Sequence, residues 1–467
     1  MVSRPYDVES PSSIENFGKK LVGTSLRRSV GTKPMPIEML DAPVSGTTRH
    51  YLGELVEKYY YGINPDNEPC SPDFKDAGVE LKTSALKRLK TKGVVPKERL
   101  VFGMIDYMSV HEEEFESSCF LAKSRLVMAL WYLHEDGVPI GELRFEVAKL
   151  LDFDALPAPD RAVIREDWEA IAARIRSGEA ELLGSEHTPT RYLEALTKGS
   201  SGQLKPQANS PTPAKPRAFA FKGTYLRSLL RGDLENEQRL FETPAALAAD
   251  GFEQGVLKRF ERYLGMSEQE IASALEVSGA PSAKGYRATL ARAMMGVRTS
   301  RVAEFERADI LMKTVHHVRA KLPKEHMSFP AFRFMGEGSV LEEIWEAEDD
   351  DDERLAEIKA TLRDRRFLFV VFEEREGASR LSFAKFWTMP ERDIEEFVRP
   401  VWERTRDAIR SGRLEDLPRT TFNRVSHVRP HATKGETFPT PRNGDQTKRC
   451  FWLDRAYLAE QMGIDVR

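Results

Sequence analysis

The chain alternates between two kinds of hydrophobic pattern. GELVEKYYYG, from Gly53, places apolar residues at helical spacing and stops at Gly62, which predicts a helix. GVELKT, from Gly78, alternates apolar and polar positions after a turn-rich stretch and predicts a strand. RLVMALWYL, from Arg125, and RFLFVVFEE, from Arg366, are apolar on both faces, as strands buried on both sides are. DWEAIAARIRSG, from Asp167, and VWERTRDAIRSG, from Val401, predict amphipathic helices ended by glycine. Together these elements predict an α/β architecture, a mixed sheet flanked by helices.

These elements come in pairs because the chain repeats itself. KPRAFAFKGTYLRSL, from Lys215, aligns without gaps on TKRCFWLDRAYLAEQ, from Thr447, so that Arg217 meets Arg449 and Tyr225 meets Tyr457. Trp168 precedes Arg176-Ser177-Gly178 by the same distance as Trp402 precedes Arg410-Ser411-Gly412. Pro96-Lys97-Glu98 returns as Pro323-Lys324-Glu325, and Lys82-Thr83 as Lys313-Thr314, in the same order. Two copies of one fold in tandem are expected, 1–232 and 233–467. The most linker-like stretch, QLKPQANSPTPAKP from Gln203, would tempt a cut. Its counterpart ATKGETFPTPRNGDQ lies inside the second copy, so both read as internal loops and the boundary falls near Gly232.

Composition narrows the class. Of 467 residues, 40% are hydrophobic and 31% charged, which fits two or three globular domains. No apolar run reaches the ~20 residues of a membrane span, and MVSRPYDVES lacks the apolar stretch of a secretory signal. Cys70, Cys119 and Cys450 lie far apart, so ordinary reduced cysteines and a cytoplasmic protein are expected. The net charge of −4 does not announce a nucleic-acid binder. Charge is unevenly placed, however: Lys82, Lys87, Arg88, Lys90, Lys92, Lys97 and Arg99 crowd one stretch against the single acid Glu98. The acidic run Asp349 to Asp352 reads as a solvated loop.

SPDFKDAGVELKT holds the candidate chemistry. Residues two apart on a strand share a face, so Glu80 and Lys82 project together, and Asp73 can reach the same spot from an adjacent element. Two carboxylates at one place repel unless a cation joins them, which is how a Mg²⁺ site is made. Such an ion polarises a phosphate and acidifies water, and a neighbouring lysine offsets charge building on phosphorus. Alone, Glu-x-Lys in so charged a chain reads sooner as a surface strand with a salt bridge.

These segments resemble MutH and the type II GATC-cutting restriction endonucleases built from two MutH-like halves. The resemblance runs through SIENFGKKLVGTSL, GELVEKYYYG, DFKDAGVELKT, KSRLVMALW, RYLEALTK and PRAFAFKGTYL in the first copy. In the second copy it covers KEHMSFPAF, FWTMPERDIEE and RVSHVRPHA. It implies a restriction-endonuclease-like fold with a PD-(D/E)xK site, present twice. Catalytic roles pass to Asp73, Glu80 and Lys82, with Asp73 and Glu80 as metal ligands and Glu57 as the supporting helical glutamate. Lys123 matches a lysine near the scissile phosphate. Lys198, Arg217, Arg429 and Arg449 are the further DNA-binding candidates.

At the shared Lys-Thr, VELKT becomes ILMKT in the second copy. Glu80 is thereby replaced by Leu311 and Lys82 kept as Lys313. Asp73 falls opposite Glu304, and Glu57 opposite Phe260 or Glu261. A copy without the metal-binding carboxylate is expected to bind DNA and not cut it. Arg429 matches a base-reading arginine, a residue suited to bidentate contact with guanine, whereas the first copy has Leu196 there. Ala220 stands where the family has a tyrosine that senses adenine methylation, so no need for a hemimethylated site is expected. The resemblance thus implies a Mg²⁺-dependent restriction endonuclease cutting double-stranded DNA at a short palindrome, GATC. Its second half would engage a second site and stimulate cleavage, and the enzyme could pair as a dimer on DNA. The alternatives are a strand-nicking mismatch-repair endonuclease and a non-catalytic DNA-binding regulator.

Overall fold

The computed structural model describes the chain apart from residues 1–3, 32–34, 45–47, 49, 65–67, 69, 90–92, 200–201, 232–238, 242, 249, 300, 348–349, 351, 353, 431–434 and 467. Lys90, Lys92, Asp349, Asp351 and the boundary expected near Gly232 lie outside the described residues. The chain forms two compact units, Met1–Leu183 with Thr190–Glu235, and Gly184–Pro189 with Asn236–Arg467. Among the described residues no helix is long and apolar enough to cross a membrane.

In the first unit, strands β1 (Glu80–Leu89), β2 (Gly93–Pro96), β4 (Leu126–Leu133) and β5 (Phe145–Asp152) form one sheet in the order β2-β1-β4-β5. Its central pair, β1 and β4, is parallel. A second, antiparallel sheet has the order β3 (Leu100–Met104), β9 (Arg217–Phe221), β6 (Leu193–Thr197). The sequence segment from Gly53 becomes an α-helix, Tyr51–Leu55, that widens into a π-helix, Val56–Tyr61, before Gly62 ends it in the left-handed conformation. With helix Pro11–Lys19 it buries Ile14, Leu55 and Tyr61 in one core with Leu81, Met128 and Leu130. Gly18 permits this approach, because a Cβ there would collide with Met128 and Tyr61.

The second unit repeats the plan. Strands β10 (Ile310–Val318) and β12 (Arg366–Arg375) are parallel, and β13 (Ala378–Trp387) adds antiparallel to β12. Strands β11 (Met327–Phe332), β17 (Arg449–Leu453) and β14 (Ser426–Pro430) form the second sheet, in that order. The two parallel pairs can be set side by side at the shared Lys-Thr: Lys82 pairs with Ala129, and Lys313 with Phe369. Counting along from these pairs, β4 breaks register between Trp131 and Tyr132, and β12 at the equivalent Val371 and Phe372. A shared bulge is a built feature, and two copies of it mark one ancestral strand.

Over their described residues, both linker-like stretches form hairpins; Ala432 to Lys434 of the second lie outside those residues. β7 (Lys205–Gln207) pairs with β8 (Ser210–Ala214), and β15 (Thr437–Thr440) with β16 (Gly444–Thr447). Each hairpin turn places an asparagine on the end of the amphipathic helix. Asn209 donates to the Arg176 carbonyl at 3.1 Å, and Asn443 to the Gly412 carbonyl at 3.0 Å. Helix ends carry unsatisfied carbonyls, so these amides anchor the hairpins that composition suggested were loose.

One expectation is corrected. Cys70 and Cys119 are joined as a disulfide, and Cys450 alone is free. Their separation of 49 residues hid a contact that the turn before Asp73 and the helix Cys119–Ser124 create in space.

Candidate active site

The site is assembled on the leading end of β1. Lys75-Asp76-Ala77-Gly78 folds into a tight turn, with Gly78 at φ 64°, and Phe74 and Val79 exchange backbone hydrogen bonds of 2.9 and 3.2 Å across it. That bridge sets Asp73 directly against the first residues of β1. Asp73 Oδ2 accepts from the Leu81 amide at 2.7 Å, which fixes the carboxylate beside Glu80.

Glu80 is 1% exposed, an unusual position for an ionisable group. Its Oε1 lies 2.6 Å from Lys82 Nζ and 3.4 Å from Lys123 Nζ. Its Oε2 is buried with no hydrogen-bond partner. Lys82 reaches it from two positions along the same strand, as the pleat requires. Lys123 comes from the last turn of the helix Cys119–Ser124, whose first turn is capped by Ser118 accepting from the Leu121 amide at 3.1 Å. Glu57 arrives from the π-helix, a distortion frequent at functional sites.

Electrostatics follow from this crowding. Burial pushes the Glu57 carboxyl up to about 7, helped by Asp73, then opposed by Lys82. Burial also raises Glu80, opposed by Lys82 and reinforced by Asp73. Three carboxylates share the site with two ammonium groups, so ionising all of them without a further cation is unfavourable. The residues fit a hard divalent ion: Glu80 offers an orphaned oxygen, Asp73 a carboxylate with one oxygen held by Leu81, and Glu57 a third carboxylate.

The structure therefore brings Asp73, Glu80, Lys82, Glu57 and Lys123 together. Arg217 lies on the second sheet of the same unit, where its Nη1 donates to the Ala195 carbonyl at 2.7 Å across β9 and β6, and Lys198 directly follows β6. Arg429 and Arg449 are in the second unit. Arg429 is exposed, its guanidinium 5.5 Å from the Trp452 ring. Arg449 is half-buried, and desolvation lowers its pKa.

Sequence reading missed Asp167. Fully buried, it accepts from the amides of Arg191, Tyr192 and Leu193 at 2.6–3.0 Å and so holds the chain entering β6. In the sequence it opens an amphipathic helix, where an acid looks solvated; its neighbour Trp168 was the only hint of depth.

Among the described residues of the second unit, the equivalent positions do not assemble a carboxylate cluster. Leu311 takes the Glu80 position and packs against the core. The Asp73 turn is replaced by a short helix, Ala303–Arg307. Its Glu304 is turned to other work, accepting from the Leu240 and Phe241 amides at 2.6 and 3.4 Å. Phe260 is buried and Glu261 exposed, so neither substitutes for Glu57. Lys313 is left among apolar and cationic neighbours, and burial, then Arg365, lowers its pKa.

The family model described as DNA mismatch repair enzyme MutH matches residues 61–167, which include Asp73, Glu80, Lys82 and Lys123. The chain is 29% identical to the type II restriction enzyme Sau3AI of Staphylococcus aureus over 96% of this chain and 98% of that protein. It is 27% identical to the DNA mismatch repair protein MutH of Shewanella amazonensis, over 39% of this chain and 78% of that protein. For MutH of Shewanella oneidensis the identity is 24%, over 38% and 78%. Restriction endonucleases generally use a divalent metal. The chain is a MutH-like, site-specific deoxyribonuclease of restriction-endonuclease-like fold, with double-stranded DNA as its substrate.

Proposed function

We propose that this chain is a type II restriction endonuclease that uses Mg²⁺ to cut both strands at a short palindrome, GATC. Residues 1–232 carry the catalytic centre, and 233–467 form an inactive DNA-binding half that engages a second site and stimulates cleavage. One observation carries the division: the buried Glu80, with its orphaned oxygen and two lysines, has Leu311 as its counterpart.

Asp73 and Glu80 would hold the ion through their carboxylates, which when bound supplies Lewis-acid polarisation of the phosphodiester and a more acidic water. Lys82 orients the attacking water and balances charge growing on the phosphoryl oxygens. Lys123, beside the same Glu80 oxygen as Lys82, contacts the phosphate. Glu57, poised to exchange a proton near neutrality, supports the ion and tunes how readily the site fills. Arg429 reads a base from the second half, its guanidinium 5.5 Å from the Trp452 ring centroid. A single catalytic centre per chain must act twice or pair with a second chain, so a dimer on DNA is part of the reading.

Similarity over 96% of the chain to a two-half-sized restriction enzyme, against 39% for the mismatch-repair proteins, favours this over strand nicking. Mapping fragment ends from sequenced DNA incubated with Mg²⁺ tests sequence, stagger and strand count together. Ends at sites other than GATC, or nicks on one strand alone, would overturn the reading. Glu80→Ala is expected to abolish cutting while binding in calcium persists.

A further inference from the structure

Three side chains in the second unit converge at one end of the sheet β11-β17-β14. Met327 pairs with Leu453, and Ser426 with Leu453 on the other side, so His326 stands against Asp454 and His427 against Trp452. Residues opposite each other share a face, as do residues two apart along a strand. His326, His427 and Asp454 therefore point to the same face of the same sheet end. One ligand-capable atom from each lies within 4.8 Å of the others.

The environment of these groups is not that of a finished hydrogen-bond network. His427 is 0% exposed, and neither ring nitrogen has a hydrogen-bond partner. A buried imidazole with both nitrogens unmet is costly unless something else satisfies it. Asp454 Oδ1 accepts from the Ala456 amide at 2.7 Å as the cap of helix Arg455–Met462, leaving Oδ2 at 3.4 Å from His326 Nδ1. His326 Nδ1 is itself 3.2 Å from the Arg455 amide, from which it accepts. A nitrogen whose lone pair faces an amide has no proton to offer the carboxylate, so His326 Nδ1 and Asp454 Oδ2 face each other as two acceptors.

The first unit supplies an internal comparison. Its equivalent strand pairs, Leu100 with Phe221 and Leu193 with Phe221, place Arg99, Glu194 and Lys222 at the three corresponding positions. There Arg99 Nε meets Glu194 Oε1 at 3.1 Å, and Lys222 Nζ donates to the Thr190 carbonyl at 2.7 Å. In one copy an ion pair closes the sheet end; in the other the same positions hold two imidazoles and a carboxylate with no cation among them.

We propose that His326, His427 and Asp454 form a site for one transition-metal ion of the zinc class, distinct from the hard-ion site at Glu80. Two imidazoles and a carboxylate with an open fourth position make a set that zinc takes and magnesium does not. Ligand atoms around tetrahedral zinc sit roughly 3.4 Å apart, so a small inward movement of the side chains closes the site. The ion would add a side-chain tie across three strands at the end of their sheet. It would thereby fix β14, on which Arg429 follows His427 by two residues and projects from the same face. The site thus serves to hold the exposed guanidinium, and not to cut.

The full-length protein, stripped with a strong chelator, is incubated with zinc in a large excess of magnesium, desalted, and its metal content measured by plasma emission. Roughly one zinc per chain is expected. Cobalt in place of zinc should give the intense visible bands of a tetrahedral site. His427→Gln should lose both signals. The combined variant His326→Arg, His427→Glu, Asp454→Lys installs the first unit's ion pair, and should keep the fold while binding no zinc. Wild-type protein that retains no more zinc than this combined variant would overturn the proposal. So would His427→Gln that retains as much as wild type.

Discussion

Glu57 offers the most quantitative test of the catalytic site, because its environment sets a pH-dependent penalty. In the metal-free protein its carboxyl is pushed from 4.5 up to about 7, chiefly by burial and by Asp73. Below the ordinary carboxylate range both folded and unfolded chains hold the proton, and the group costs nothing. As pH rises toward 7 the unfolded chain ionises while the folded one does not, so stability falls; above 7 the loss is complete. The shift corresponds to roughly 3 kcal/mol at about pH 8 and under about 1 kcal/mol at about pH 5. Partial solvent access reduces the larger figure to about 2 kcal/mol. Glu57→Gln removes the titration and keeps the shape. The metal-free variant should therefore unfold about 4–8 °C above wild type at the higher pH, with little difference at the lower one, for a unit of this size. Calorimetry in chelator at both pH values measures this. Adding Mg²⁺ should then stabilise wild type more than the variant, since the variant has lost one carboxylate near the ion. An equal difference at both pH values would refute the assignment of Glu57 to the carboxylate cluster, as would a variant less stable than wild type at the higher pH.

Four further outcomes are expected. Lys313→Ala should leave single-turnover cleavage by the first unit unchanged, and a loss of rate like that of Lys82→Ala would sink the division of labour. Arg429→Ala should weaken binding to the cognate duplex by about 1–3 kcal/mol, with a smaller effect on unrelated DNA, as measured by titration at fixed salt. Because Ala220 is fully buried and offers no side chain that could sense a methyl group, unmodified and hemimethylated duplexes should be cut at similar rates. A strict hemimethylated preference in that comparison would contradict it. Cys70→Ser should lower the stability of the oxidised protein by about 2–4 kcal/mol, read by denaturant titration, and should have no such effect under reducing conditions.

Much of the site was legible because it is local. Glu80 and Lys82 are two residues apart, and a strand's pleat alone puts them on one face. The tandem repeat was legible because covalent order survives divergence: Arg217 and Arg449, or Lys82 and Lys313, keep their places while neighbours change. Leu311 could be read as a lost carboxylate from that order alone. Other features gave no such trace. Asp167 looks like a solvated helix residue until three amides are seen to close on it. The Pro- and Ser-rich stretches looked like linkers because composition reports local propensity, whereas Asn209 and Asn443 anchor them through helix-end carbonyls that are distant in sequence.

The sequence by itself determined the number of copies, the buried strands, the pairing of Glu80 with Lys82, and which copy lost its carboxylate. Each depends on periodicity or on order along the chain. Only the tertiary structure decided that the Phe74–Val79 turn presses Asp73 to the Leu81 amide, and that Lys123 comes round to Glu80. The same holds for the joining of Cys70 to Cys119 and the meeting of His326, His427 and Asp454 at one sheet end. These contacts are made by strand register and chain reversal, which bring together groups that no spacing rule along the sequence connects.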